Sequence, residues 1–290
     1  MSWLYFTLLA YLINAFVFIL DKYLLDNHNS RPFVYAFWVA ILSASVVFLI
    51  PFGVVAQNTE YLLIALTSGV AFFLALIFLY KAIRITDISV ASTMSGVATA
   101  TFSYFLAVAF LGEPSGVFNF AAIVMLIAGT LLLGRTDKHI WSLAVSAGLF
   151  FSVSYVLLKI SFNLSDFING FFWTRIGFAG TALISLLFGS FRNDVLRSFH
   201  DAHIQKRSLF MGVRILSAIG FALVYYSIQL GDVSVVNSLL GFQFLFVFIF
   251  ALLLRNKISH VEESIDKRNI IRKIAGIGLV IAGFLSIIIL

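Results

Sequence analysis

Apolar runs, each near the length of a bilayer crossing, alternate with short polar turns along the whole chain. A hydrocarbon core of about 30 Å takes roughly 20 residues of helix. On that measure the pattern predicts ten spans. The first five lie near Trp3–Leu24, Phe33–Val55, Tyr61–Ile83, Ile88–Leu111 and Val117–Gly134. The second five lie near Ile140–Phe162, Ile168–Gly189, Leu209–Leu230, Val233–Leu254 and Ile271–Leu290. The runs are too long for buried strands, so the expected fold is an all-α membrane protein. Arg192–Lys206 and Arg255–Arg268 are the longest polar stretches and read as loops. Pro32, Pro51 and Pro114 fall at or near span ends, which leaves no span with a central proline break. Gly96 and Gly241 are where a helix could soften.

The pattern also repeats. Tyr80–Gly96, YKAIRITDISVASTMSG, is echoed by Tyr225–Gly241, YYSIQLGDVSVVNSLLG. The matched positions are Tyr80/Tyr225, Ile83/Ile228, Asp87/Asp232, Ser89/Ser234, Val90/Val235 and Gly96/Gly241. Phe37-Trp38 matches Phe172-Trp173, Lys22 matches Lys159, and Ile127-Ala128-Gly129 matches Ile281-Ala282-Gly283. Self-similarity over half a chain marks two copies of one unit, here residues 1–137 and 138–290. Five spans per unit is an odd number, so the second unit enters the membrane inverted. Charge supports this. Gly53–Glu60 has no Lys or Arg, whereas its counterpart carries Arg192, Arg197, Lys206 and Arg207. Lys81 and Arg84 face Tyr226 and Gln229 in the other copy. Cytoplasmic loops are the cation-rich ones, which predicts exterior termini and a multi-pass protein of the cytoplasmic membrane.

Composition fits only this class. The chain is 61% hydrophobic and 11% charged, against about 25% charged in soluble domains. The mean hydropathy is +1.05. The net charge of +6 sits in loops between spans, which favours the lipid bilayer as its partner over nucleic acid. With no Cys, disulfides and thiolate chemistry are excluded. The opening MSWLYFTLLA lacks a basic leader and reads as a retained helix. A monomer and a homodimer are both compatible with the sequence.

Several of these features together resemble a known family. They are the inverted five-span units, the Tyr-x-Ala-Ile-x-x-Thr-Asp-x-Ser stretch from Tyr80, Leu111-Gly112-Glu113 closing span four, and Ile-Ala-Gly in the last span. The chain is similar throughout to EamA-type transporters of the drug/metabolite transporter superfamily. Leu254-Arg255-Asn256 stands where a second Leu-Gly-Glu would, so no role for a Glu there carries over. The resemblance implies a secondary carrier of small organic solutes working by alternating access.

Candidate chemistry lies where polar groups interrupt apolar spans. Arg175 and Arg214 sit on the order of 10 Å into spans seven and eight. A charge at that depth needs a reason, and pairing with an anionic group of the solute is the functional one. Asn14, Ser95, Thr99, Tyr155, Asn237 and Gln243 cannot all face lipid cheaply. With Tyr80, Tyr225, Trp38 and Trp173 they complete the expected substrate-binding set. Thr101, Tyr104 and Ser154 are further polar mid-span positions, and any of these groups could instead be interhelical glue. Lys22 and Lys159 end equivalent spans and read as snorkelling anchors or gate residues. Asp87 and Asp232 each precede a span and suit helix capping, and Glu60 suits a helix start. No carboxylate stands out as buried, which leaves proton coupling and facilitated movement equally open.

Other classes find little support. His28, His139, His200, His203 and His260 all fall in predicted loops, and no phosphate-binding Gly loop or nucleophile elbow occurs. No enzyme, cofactor or metal site is expected. The expectation is a non-ATP-driven transporter of an amino acid or similar metabolite. A lipophilic-cation or multidrug exporter is the alternative, and a membrane sensor or scaffold ranks lower.

Overall fold

The computed structural model describes residues 2–27, 31–55, 57–114, 124–125, 128–129, 132, 137–200, 204–254 and 267–289. Every regular element among them is helical: α1 Ser2–Asn27, α2 Pro32–Ser43, a 3-10 helix Ala44–Phe52, α3 Thr59–Ile85, α4 Ile88–Leu111 and α5 Lys138–Leu164. The rest are α6 Phe167–Ser185, α7 Gly189–His200, α8 Ile204–Leu230, α9 Val233–Ser238, α10 Leu240–Leu254 and α11 Lys267–Ile289. Seven described segments are long and apolar enough to cross a bilayer, and α6 with α7 would make an eighth. This is a multi-pass helical membrane protein. The expected fifth span, Val117–Gly134, lies largely outside the described residues. The tenth corresponds to α11, whose apolar stretch is Ile274–Gly283.

Three elements depart from the simple span pattern for identifiable reasons. Span two runs as α2 and then tightens into the 3-10 helix that contains Pro51. Proline has no N–H to give and its ring crowds the preceding turn, so it cannot sit inside a regular α-helix. Span seven ends at Ser185, and α7 leaves it at an angle of 102°. The polar stretch expected as a loop is therefore helical through His200. Phe191 and Val195 recur at helical spacing there, between Arg192, Asn193 and Arg197, and Val195 is buried. Span nine is broken at Leu239, two residues before Gly241, whereas α4 runs unbroken through Gly96.

Contacts fix the relative directions of the helices. The α1 start meets the α8 end, where Ser227 Oγ donates to Trp3 O at 3.4 Å. The α1 end meets the α8 start through Asp21 and Arg214. Lys159, near the α5 end, donates to Ile228 O at the α8 end. Hence α5 runs opposite to α1. By the same reasoning α6 opposes α2, because Asn169 near the α6 start binds Gly53 O and Val55 N beyond the 3-10 helix. The Lys22 contact with Ile83 O sets the α3 end beside the α8 start, and Asn237 of α9 meets Ser103 near the α4 end. Four pairs of helices equivalent by sequence position thus run in opposite senses. We call the two ends of the bundle the Lys22 end and the Lys159 end.

The core is built by close helix approach. A Cβ placed on Gly69 of α3 would strike the backbone of α6 at Thr174 and Phe178. One on Gly177 would strike the backbone of α3 at Leu66. Small residues permit this contact between backbones. Ser68 Oγ of α3 adds a 2.8 Å hydrogen bond to Ser154 O of α5, so Ser154 belongs to this packing.

Candidate functional site

A cavity lies where the middles of α1 and α5 meet the first half of α4, the second half of α8 and the start of α10, with Leu79 of α3 also in its lining. Its volume is about 40 Å³, enough to admit water. Five of the expected binding residues line it: Asn14, Ser95, Thr99, Tyr155 and Gln243. Apolar walls come from Phe18, Phe151, Phe221 and Phe244, and Tyr11 completes them. Phe244 lies so close to Gly96 that no Cβ would fit between them. Among these polar groups, the Asn14 side-chain oxygen and the Ser95 hydroxyl are buried with no hydrogen-bond partner. Buried polar atoms of this kind are costly unless something binds them. Thr99 satisfies itself on Ser95 O at 2.8 Å.

On the Lys22 side of the cavity lies a charged cluster that was only half visible in the sequence. Arg214 is 6% exposed and forms an ion pair with Asp21, itself 1% exposed. Tyr35 donates to Asp21 at 2.7 Å and accepts from Arg214 at 3.1 Å. Tyr80 donates to the other Asp21 oxygen at 3.3 Å and accepts from Arg214 at 3.4 Å. Arg214 also stacks over the rings of Tyr35 and Phe210, 5.2 Å from each centroid. The arginine expected to meet a solute thus has an internal counter-ion. Tyr80 belongs to this cluster and not to the cavity lining. The buried carboxylate was missed because Asp21 stands beside Lys22 near a span end, where charges ordinarily reach the interface. A carboxylate and a later arginine at matching depth in antiparallel spans was the available signal.

Arg175 is placed differently. It is 6% exposed, and among the described residues no hydrogen bond or ion pair reaches it. Its guanidinium is instead ringed by aromatic faces: Tyr225 at 4.7 Å, Phe72 at 5.1 Å, Phe171 at 5.2 Å, Phe221 at 5.7 Å and Phe178 at 5.9 Å. The Tyr225 hydroxyl is buried without a partner. Phe221 belongs to both cage and cavity wall, and Tyr155 of the cavity wall meets Tyr225 of the cage edge-on at 6.3 Å.

The remaining expected residues hold helices together. Lys22 donates to Ile83 O at 2.8 Å and Thr86 O at 3.3 Å, covering the carbonyl end of α3. Lys159 does the same for α8, donating to Ile228 O at 2.8 Å, Gly231 O at 2.9 Å and Gln229 O at 3.1 Å. Ile83 and Ile228 are themselves a repeat pair. Asp87 and Asp232 occupy the N-cap positions of α4 and α9, yet neither side chain makes the capping hydrogen bond. At α9 that work falls to Glu113, which accepts from Val233 N at 2.8 Å, from Ser234 N at 3.2 Å and from the Ser234 hydroxyl. Asn237 donates to Ser103 Oγ at 2.9 Å, outside the cavity lining. Trp38 donates to Ser198 Oγ at 3.1 Å, beyond α6, and Trp173 to Val55 O at 3.3 Å, beyond α2. These two reciprocal ties place both tryptophans away from the cavity wall.

Comparison with known proteins bears on the fold and on the first half of the chain. A solved structure described only as "Crystal structure of protein" superposes on 97% of this chain and 96% of its own, at 16% identity and a TM-score of 0.57. At that identity the likeness concerns the fold alone. No curated protein matches the chain. Residues 1–135 match the model of the EamA-like transporter family. The resemblance carried by the residues and this match agree: the match covers the first 135 residues and is consistent with an EamA-type transporter of the drug/metabolite transporter superfamily.

Proposed function

We propose that the protein is a secondary carrier that moves a small organic solute, an amino acid or similar metabolite, across the cytoplasmic membrane by alternating access. Its two inverted units are residues 1–137 and 138–290, with the Lys22 end in the cytoplasm. The opposite senses of α1/α5, α2/α6, α3/α8 and α4/α9–α10 support that arrangement. So do the matched lysine caps and the reciprocal tryptophan ties. The observation that carries the function is the position of the cavity. It lies at mid-depth and is lined from both halves by buried polar atoms, two of which lack partners. Carriers with inverted repeats bind solute at this place.

In this reading Asp21 and Arg214 form a latch. Asp21 belongs to the first unit and Arg214 to the second, so opening the cavity toward the Lys22 end parts them. Glu113 and Lys159 gather the ends of α4, α5, α8 and α9 at the opposite end. The test is counterflow in proteoliposomes against amino acids, organic anions, nucleosides and cationic dyes. Saturable exchange of one class is the expected result. Binding without exchange would refute a carrier.

A further inference from the structure

We infer that the solute is a small organic carboxylate and that Arg175 is the partner of its carboxylate; this rests on the carrier reading above. The two buried arginines differ in one respect that decides the matter. Arg214 already has Asp21 as counter-ion and two tyrosine hydroxyls as hydrogen-bond partners. Arg175 has neither an ion pair nor a hydrogen bond among the described residues, and five ring faces lie within 6 Å of it. A guanidinium at this depth is costly to keep without an anion. Ring faces offset part of that cost, but a carboxylate offers a planar, bidentate and charge-assisted match that a ring cannot.

The surroundings of Arg175 favour an anion independently. The Tyr225 ring lies 4.7 Å from the guanidinium, and its hydroxyl, buried and without a partner, is a second donor for a carboxylate oxygen. The cage adjoins the cavity, because Phe221 belongs to both and Tyr155 of the cavity wall packs on Tyr225 of the cage. Among the described residues no Asp or Glu lines the cavity to receive a cation. Aromatic boxes do recognise quaternary ammonium groups, but this one is filled by the protein's own Arg175. A lipophilic cation would find its rings occupied and a like charge among them. Across the cavity, the unpartnered Asn14 oxygen and Ser95 hydroxyl can accept from a donor on the same solute, as the ammonium of an amino acid would supply.

The test is equilibrium binding to the purified protein, read separately from transport. Matched carboxylates and carboxamides serve as probes: leucine with leucinamide, isocaproate with isocaproamide, and phenylacetate with phenylacetamide. Tetraphenylphosphonium represents the lipophilic cations. At least one carboxylate should bind at least tenfold more tightly than its amide. Arg175→Gln should abolish that preference while leaving the weak amide affinity in place, and Arg175→Lys should restore part of it. Unchanged thermal unfolding of both variants would show that they fold. Tighter binding of the amides or of tetraphenylphosphonium overturns the inference, as does a carboxylate preference that survives in Arg175→Gln. Carboxylate binding without counterflow would leave the inference standing and defeat the carrier reading alone.

Discussion

At the residue scale, Asp21 and Arg214 show how a charge can be legible while its role is not. Arg214 stands out in the sequence because it interrupts an apolar span. Its partner lies almost two hundred positions earlier, next to a lysine that draws attention away from it. Removing one member of a buried ion pair leaves the other uncompensated, typically at a cost of about 3–5 kcal/mol. Asp21→Asn and Arg214→Met should each lower stability in detergent by about that amount, and the double variant by clearly less than the sum. Equal additivity would show that the two charges do not act as a pair. A milder effect belongs to Asp166, the N-cap of α6, which accepts from Asn169 N at 3.0 Å and from its side-chain amide at 2.7 Å. Burial pushes its pKa upward, but the hydrogen bonds from Asn169, Ile168 and Ser165 outweigh this and hold the carboxyl below its ordinary range. Its contribution is therefore full above the unfolded pKa and lost as the pH falls through the lower folded one. Asp166→Ala should cost about 1 kcal/mol near neutrality. The gap in thermal unfolding between wild type and variant should close in acid.

At the scale of elements, the chain carries its own control experiment, because Lys22 and Lys159 do the same work at opposite ends. Each covers the carbonyl end of a helix, where a cation is favoured by both the unpaired C=O groups and the helix dipole. Lys22→Met and Lys159→Met should therefore destabilise by similar amounts, about 1–3 kcal/mol each. A loss confined to one of them would argue that the likeness is only in sequence. The same comparison explains what could be read beforehand. The long apolar helices and five cavity residues were legible because apolar length and mid-span polarity are local signals. The rest depends on partners distant in sequence. Glu113 caps α9 in place of Asp232 because the end of α4 arrives there, which no local pattern announces. The α7 helix was overlooked for the opposite reason: its period was present but masked by a polar composition. Close packing gives a further test at this scale. Gly69→Ala would drive a methyl into the backbone of α6, and backbone cannot yield as a flexible side chain can. A loss of about 1–3 kcal/mol is expected from such overpacking, whereas alanine at Gly180, which has open space, should be neutral within about 0.5 kcal/mol.

For the whole molecule, the arrangement makes a statement about sides that can be tested directly, since the absence of native cysteine makes every introduced thiol unambiguous. Gln57 lies between the 3-10 helix and α3 at the Lys159 end, while Asn193 on α7 lies toward the Lys22 end. In whole cells, Gln57→Cys should react with an impermeant maleimide and Asn193→Cys should react only after permeabilisation. Reaction of both from one side would break the inverted arrangement, and exchanged sides would reverse its orientation. The latch extends this logic from topology to motion. Ser95 lies on the cavity wall, and the Asp21–Arg214 cluster stands between that wall and the Lys22 end. A cysteine at Ser95 should therefore be slow to react from the Lys22 end while the pair is intact. In Arg214→Met the barrier has lost its charge pairing with Asp21 and its hydrogen bonds to Tyr35 and Tyr80, so reaction from that end should quicken by about tenfold or more. A tenfold change corresponds to about 1.4 kcal/mol, well within what a buried pair can hold. An unchanged rate would mean that the pair fastens helices without governing access, and the gate would then have to be sought elsewhere along the Lys22 end.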